Sequence, residues 1–272
     1  MNQFKGSIAI LGSGNIGISL AKGLVKAGYA QPGQISLTRR NLANLSALAD
    51  QGFVTSTDNA AVVASADLVV LAVLPQQLNQ LLDQIRPVVG ADQQVFISVA
   101  SGVSCSDIRN KLGDDVQVIR AMPNTAIAIG QSMTCVATDN ASADNVSEVI
   151  RMFETVGSAV KINEDLMTSA TALCACGIAF FLRAIRAASQ GGVEIGFHAD
   201  EALKMAVQTA KGAADLLLQM QSHPEQEIDK VTSPKGCTIA GLNEMEHNGF
   251  SSSLIKGIKL SAVKAGALYT KE

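Results

Sequence analysis

Gly12, Gly14 and Gly17 stand at G-x-G-x-x-G spacing in the run Gly12-Ser13-Gly14-Asn15-Ile16-Gly17, directly after the apolar stretch Ser7 to Leu11. Glycine suits each place for its own reason. Gly12 allows a tight turn off a strand, Gly14 lets backbone approach a pyrophosphate, and Gly17 lets a helix pack closely on the sheet. A helix beginning near Asn15 aims free N–H groups at phosphate oxygens. The spacing alone is weak, but here it heads a strand–helix–strand unit, and that context makes it a dinucleotide site. The end of the second strand then separates two cofactors. NAD sites place Asp or Glu there for the ribose hydroxyls, and no acidic residue occurs between Gly17 and Ala49. Thr38, Arg39 and Arg40 stand there instead, and two guanidinium forks suit a 2′-phosphate. NADP(H) is the expected cofactor. The competing reading makes both arginines ordinary solvated surface residues.

Further cofactor contacts belong at the carboxyl ends of the other strands, where open sheets bind ligands. These are Ala72, Val73, Leu74 and Pro75, then residues 99–102 including Ala100 and Gly102, then Asn124. Asn124 also reads as a turn residue bonding its own backbone. His198, His223 and His247 carry no motif and read as surface or capping groups. No Ser-His-Asp spacing supports hydrolysis, and no cluster has metal-ligand spacing, so no metal is expected. The missing base is informative. Oxidation of an alcohol needs a group to take the hydroxyl proton. Reduction of a protonated imine needs none, and hydroxyls with backbone amides suffice to hold its substrate. Thr232-Ser233-Pro234-Lys235-Gly236-Cys237-Thr238 offers such a set ahead of a helix at Ile239. Ordinary capping by Ser233 or Thr238 is the alternative.

The elements that must carry these residues follow from periodicity. Strands read at residues 7–11, 35–38, 54–55, 67–73, 95–100, 116–121 and 133–136. Helices read at 15–27, 41–51, after the cap Asp58, and at 141–156. This order argues for an α/β fold, a Rossmann-type doubly wound parallel sheet. From Glu164 the pattern is helical throughout, at 165–191, 199–220, 239–248 and 251–268. Residues 1–163 read as the dinucleotide-binding domain and 164–272 as an all-helical dimerisation and substrate-binding domain.

The chain has 272 residues, 47% of them hydrophobic, which allows two well-cored domains. A net charge of -3 gives no reason to expect nucleic acid or an anionic membrane. The uncharged stretch Thr168 to Leu182 is shorter than the roughly 20 residues of a membrane span and reads as a buried helix. Five unpatterned cysteines suit a reducing cytoplasm. Cys174 and Cys176 read as small packing residues, because no basic neighbour is visible to lower a thiol pKa; thiol chemistry is the alternative.

At these residues the chain resembles the pyrroline-5-carboxylate reductases. The resemblance rests on an ordered set: the glycine loop, Leu71-Ala72-Val73-x-Pro75-Gln76, Ser98-Val99-Ala100-x-Gly102-Val103, Arg120-x-Met122-Pro123-Asn124-Thr125, Glu164-Asp165-Leu166-Met167, Thr171-Ala172-Leu173, Asp229-x-Val231-Thr232-Ser233-Pro234 and Gly236-x-Thr238-Ile239-Ala240-Gly241-Leu242. It implies hydride transfer to the C=N carbon of 1-pyrroline-5-carboxylate, giving L-proline. It implies that the substrate carboxylate lies on the Gly236, Cys237 and Thr238 backbone, with Asp229 nearby. Thr238 and Ser233 are then the catalytic hydroxyls, with Thr238 near the ring nitrogen, and Asn59 lies near the adenine ribose. It also implies a homodimer, or an oligomer of dimers, in which a partner subunit completes the site. The sequence departs from the family at Leu74 (usually Lys), Ala126 (usually Pro), the Cys174 to Phe180 segment, Lys235 and Cys237. Other readings stay open: reduction of a related cyclic imine, a 3-hydroxyacid dehydrogenase, or an NADPH-binding redox sensor. The dehydrogenase expects a Lys and then an Asn in the first long C-terminal helix, and residues 166–201 contain neither.

Overall fold

The structure, a computed structural model, describes residues 3–90 and 94–269. It divides into two compact units, residues 1–176 with 260–272 and residues 177–259. The sequence reading sets its boundary at residue 163, where the sheet ends. The compact division falls later because the first helical turns after the sheet pack under it, with Met167 and Ala170 buried against Met122, Cys135 and Ala137.

The first unit alternates β1 (Ile8–Leu11), α1 (Asn15–Lys26), β2 (Ile35–Thr38), α2 (Ser46–Ala49), β3 (Val54–Ser56), α3 (Asn59–Val63), β4 (Leu68–Leu71), α4 (Pro75–Ile85), β5 (Val95–Ser98), α5 (Cys105–Leu112) and β6 (Gln117–Met122). Then come β7 (Ser132–Ala137), α6 (Ala143–Glu154) and β8 (Gly157–Lys161). The eight strands lie in the order β3-β2-β1-β4-β5-β6-β7-β8. Both faces are covered, so a strand divides its residues between two cores. Ile8 and Ile10 join one cluster with Leu20, Leu24 and Phe153, while Ala9 and Leu11 join the other with Val69, Leu82 and Ile108. The strand order reverses between β1 and β4, the switch point at which such sheets open a ligand crevice.

Several expectations need correction. The sheet is not wholly parallel: β7 pairs antiparallel with β6, and β8 runs with β7. The link 123–131 is shorter than the dozen or so residues a parallel crossover requires. Strand β8 went unseen because it is a largely exposed edge whose glycine and lysine interrupt any apolar run. The helix expected over 41–51 shrinks to a 3-10 turn, Leu42–Leu45, and the single turn of α2, since only Leu45 and Leu48 there are buried.

The long helix expected over 165–191 is broken. It runs as a 3-10 turn (Glu164–Leu166), α7 (Met167–Ala170), a π-helix (Thr171–Cys176) and α8 (Gly177–Glu194). Thr171 returns its hydroxyl to the Met167 carbonyl at 2.8 Å, a back-bond that loosens the regular ladder. The stretch 168–182 read as a buried helix divides: Ala170, Thr171, Ala172 and Gly177 are buried, while Leu173, Phe181 and Leu182 are more than half exposed in this chain. By length and composition alone, Glu164–Glu194 could cross a membrane.

The second unit holds α8, α9 (Ala199–Met220), α10 (Pro224–Lys230), which the sequence reading omits, α11 (Cys237–His247) and most of α12 (Phe250–Ala265). Helices α8 and α9 pack tightly, for a Cβ on Gly192 would lie 2.9 Å from that of Ala202. Ile195, Leu218, Met220 and Ile255 nevertheless lie exposed on this unit. His198 and His223 occupy the N-caps of α9 and α10.

Candidate functional site

Strand β1 turns into α1 through Gly12, whose φ of 99° is a left-handed value that glycine adopts without strain. A Cβ there would stand 2.6 Å from the Ala72 carbonyl oxygen, and one on Gly17 would stand 2.5 Å from that of Gly12. Both glycines are forced by backbone crowding. Gly14 differs, because a Cβ there meets nothing within 4 Å. Its value lies in leaving room for a ligand to approach. Gly14 is also the N-cap of α1 and offers no side-chain bond, so the first-turn N–H groups of that helix lack a side-chain cap. A pyrophosphate fits this cradle by space, donor count and dipole.

These residues line a cleft of about 710 Å³ above the switch point. Gly12, Ser13, Gly14, Asn15 and Ile16 form its floor. Thr38, Arg39 and Arg40 close the β2 side with Asn59, and Ala72, Val73, Leu74, Pro75 and Ala100 form the far wall. Ser13 holds the loop down through its hydroxyl, 3.0 Å from the Thr38 carbonyl oxygen. Asn59 opens α3 behind its cap, Asp58, whose carboxylate accepts from the Ala61 N–H at 3.0 Å. Leu74 precedes α4 and offers no cap either, which leaves a second helix start open to the cleft. Gly102 lies one residue beyond Ser101, the last lining residue. The sequence reading missed Asn41, Asn44, Thr57, Gln77 and Leu81 in this lining. Thr57 and Asn41 follow strand ends, and that was the available signal.

Asn124 lies outside this cleft. It caps the 3-10 turn Thr125–Ile129, accepting from the Ala126 N–H at 3.0 Å, and its amide donates to the Cys174 carbonyl at 3.3 Å. The turn borders a second cavity, of about 360 Å³, whose other wall includes Asn15, Ile16 and Ser19 of α1. The Cys135 and Cys174 sulfurs are 3.8 Å apart. The hydrogen bond from Cys135 holds the Cys174 thiol down at about 7, and the same bond pushes Cys135 up. The sequence reading looked for a basic neighbour; the perturbing group is another thiol. Burial, followed by the Glu164 carboxylate, pushes the Cys105 thiol up to about 12, so that cysteine is inert.

In the second unit, α11 begins two residues earlier than the sequence suggests. Its N-cap is Gly236, again with no side-chain cap. Capping by Ser233 or Thr238 is therefore not what starts this helix. The turn is closed by the backbone, with the Gly236 N–H donating to the Ser233 carbonyl at 2.9 Å. A Cβ on Gly236 would fall 2.6 Å from the Ser233 hydroxyl oxygen. Lys235 holds a left-handed φ of 61°. Thr238 is half-buried, and Ser233, Cys237 and Asp229 are exposed. The first-turn N–H groups from Cys237 onward are thus left without a side-chain cap, the arrangement by which a helix start can take an anion.

The architecture is that of an NAD(P)-dependent oxidoreductase, with a nucleotide-binding sheet followed by a helical unit. Comparison with known proteins agrees. A family model described as NADP oxidoreductase, coenzyme F420-dependent, matches residues 7–102, and one for pyrroline-5-carboxylate reductase dimerisation matches residues 164–268. The chain is 50% identical to pyrroline-5-carboxylate reductase 1 of Dictyostelium discoideum over its whole length, spanning 51% of that protein. It is 48% identical to the same organism's pyrroline-5-carboxylate reductase 2, covering 95% of this chain and 92% of the relative. The solved pyrroline-5-carboxylate reductase of Coxiella burnetii superposes with a TM-score of 0.90 at 27% identity, covering 98% of this chain and 100% of that one. A Plasmodium falciparum pyrroline carboxylate reductase, solved with NADP bound, shares the fold at a TM-score of 0.90 and 22% identity, over 99% and 100% of the two chains. The chain belongs to the pyrroline-5-carboxylate reductase family.

Proposed function

We propose that this chain reduces 1-pyrroline-5-carboxylate to L-proline with NADPH. One observation carries the reading: a family member holds a glycine-loop cleft ending on Arg39 and Arg40, and a further uncapped helix start, outside that cleft, at Gly236. The Gly12 to Gly17 backbone and the α1 N-terminus hold the pyrophosphate, Arg39 and Arg40 the 2′-phosphate, and Asn59 the adenine ribose. When bound, the dinucleotide supplies a hydride. The Gly236 to Thr238 backbone receives the substrate carboxylate, and the Thr238 hydroxyl bonds the ring nitrogen, with Ser233 and Asp229 beside them. That nitrogen arrives protonated. Hydride addition to the C=N carbon therefore leaves a neutral amine, and no side chain has to accept or donate a proton.

The exposed apolar side chains of α8, α9 and α12 are covered in this reading by a second copy of the chain, giving a homodimer or an oligomer of dimers. That assignment also accounts for the apolar Glu164–Glu194 segment, which falls within the dimerisation match, as a protein contact and not a lipid one. Five cysteines without a disulfide favour the cytoplasm.

The test is NADPH consumption by the purified chain with and without 1-pyrroline-5-carboxylate, with proline quantified and NADH run in parallel. Substrate-dependent consumption matched by proline, faster with NADPH, is the expected outcome. Consumption without proline would sink the assignment.

A further inference from the structure

The Cys135 and Cys174 thiols serve no step of the reduction, yet they are the two sulfurs that folding brings together. They lie 39 residues apart in sequence and 3.8 Å apart in space. Cys135 is buried in the interior of the sheet on β7, and Cys174 is half-buried in the π-helix. A disulfide needs an S–S distance of about 2.0 Å, so the sulfurs have to close by less than two ångströms. The two backbones differ in freedom. Strand β7 is fixed by partners on both sides, β6 and β8. The π-helix carries an irregular hydrogen-bond ladder that a shift of register can relieve. Closure therefore draws the Thr171–Cys176 segment toward the sheet.

The geometry points to Cys135 and Cys174 as an oxidisable pair whose disulfide disturbs the turn beside the cofactor cleft. The chemistry needs a peroxide. The Cys174 thiolate attacks one peroxide oxygen; an S–O bond forms, the O–O bond breaks, and the departing hydroxide becomes water. The Cys135 sulfur then attacks the Cys174 sulfur. An S–S bond forms, the S–O bond breaks, and the leaving hydroxide takes the Cys135 proton. Two thiols lose two electrons in all, and one peroxide becomes two waters. The lowered pKa of Cys174 supplies thiolate near neutral pH.

The consequence runs through Asn124. Its amide donates to the Cys174 carbonyl, and its own N–H donates to the Ser132 hydroxyl at 3.0 Å. Asn124 thus ties the π-helix to the Thr125–Ile129 turn, which faces Asn15 and Ile16 across the 360 Å³ cavity. The latter two residues also line the dinucleotide cleft. Displacing the Cys174 carbonyl removes one of the contacts that hold the turn in place. Reduction of the disulfide restores it.

The test exposes the full-length protein to hydrogen peroxide, blocks remaining thiols by alkylation, and digests it without reductant. The expected product is a peptide carrying Cys135 joined to one carrying Cys174, with fragmentation distinguishing Cys174 from Cys176, in a chain of monomer mobility on a non-reducing gel. Turnover, whose use as a readout rests on the reductase reading, falls roughly a hundredfold, as a misplacement of about an ångström can cost, and dithiothreitol restores it. Cys135→Ala and Cys135→Ser form no such link and show no dithiothreitol-reversible loss. A link from Cys174 to Cys176 or Cys237, or no link, overturns the pair. The correct link with undiminished turnover overturns its effect on the site. If the untreated protein lacks turnover, the reductase reading fails, while the cross-link still decides the pair.

Discussion

Arg39 donates through Nη1 to the Ser13 carbonyl oxygen at 3.0 Å, so the arginine assigned to the cofactor phosphate also braces the glycine loop. Arg40 is exposed and has no such bond among the described residues. The two arginines should therefore fail differently. Arg40→Ala removes a charge-assisted contact to the 2′-phosphate alone and raises KM for NADPH roughly tenfold, leaving KM for NADH unchanged. Arg39→Ala also frees the loop and raises both values. Steady-state kinetics with each cofactor decide this. An equal rise for NADH in Arg40→Ala would remove the phosphate assignment.

Glu164 accepts from the Cys105 N–H at 2.7 Å and from Arg120 Nη1 at 3.3 Å. Arg120 is 5% exposed, and its Nε and Nη2 have no hydrogen-bond partner among the described residues. Glu164 is thus the counter-charge of a buried guanidinium, at the junction where the sheet passes into helices. Glu164→Gln keeps the shape and the Cys105 bond but strands the positive charge. The expected cost is about 3 kcal/mol, the usual result of removing one partner of a buried pair. Calorimetry should show Tm lowered by roughly 5–10 °C. A shift under 2 °C would mean that the guanidinium finds another partner.

What was legible in the sequence followed from local rules. The glycine loop, the Asp58 cap and the arginines at the β2 end each depend on neighbours within a few residues, and the bounds of α9 followed from its helical spacing. What was not legible depended on distance or on competition. The reversal of β7 was encoded only in the shortness of the 123–131 link, which the strand pattern itself does not display. The Cys135–Cys174 contact joins segments that no local pattern relates. The π-helix is a departure that Thr171 imposes on a segment with ordinary helical periodicity. The exposure of Phe181 and Leu182 departs from the buried helix expected over 168–182, because an apolar helix implies a cover without saying that the same chain supplies it.

Lys235 holds a left-handed φ of 61° immediately before the Gly236 cap, a conformation that costs a lysine roughly 1–2 kcal/mol. Glycine adopts it freely. Lys235→Gly should therefore gain about 1 kcal/mol, less what the more flexible unfolded chain takes back, and raise Tm by roughly 2–4 °C. Turnover separates two cases. Unchanged KM for the pyrroline substrate makes Lys235 a tolerated strain, whereas a severalfold rise assigns its ammonium to the substrate carboxylate. Lower stability in the glycine variant would contradict the strain argument.

From Leu260 the chain belongs to the first unit again, and there it meets residues that adjoin the lining of the cofactor cleft. Gly102 has a φ of 79°, and a Cβ on it would stand 2.8 Å from the Ala265 carbonyl oxygen at the end of α12. Its neighbour Ser101 lines the cleft. Four residues past Ala265, the Tyr269 hydroxyl donates to Asn79 Oδ1 at 2.6 Å, on the helix whose first turn carries Pro75 and Gln77 into the same cleft. Gly102→Ala meets both a left-handed backbone and a backbone oxygen that cannot swing aside. It should cost about 2 kcal/mol and raise KM for NADPH severalfold by displacing Ser101. Tyr269→Phe removes the hydrogen bond to Asn79 and should cost about 1 kcal/mol, with a smaller rise in the same KM. Neither change touches the Gly236 turn, so KM for the pyrroline substrate should hold steady in both. Paired measurement of the two KM values with Tm separates the alternatives. A fall in Tm with both KM values unchanged would make the C-terminal segment a staple for the fold alone, while a rise confined to NADPH would show that it holds the cofactor wall in place.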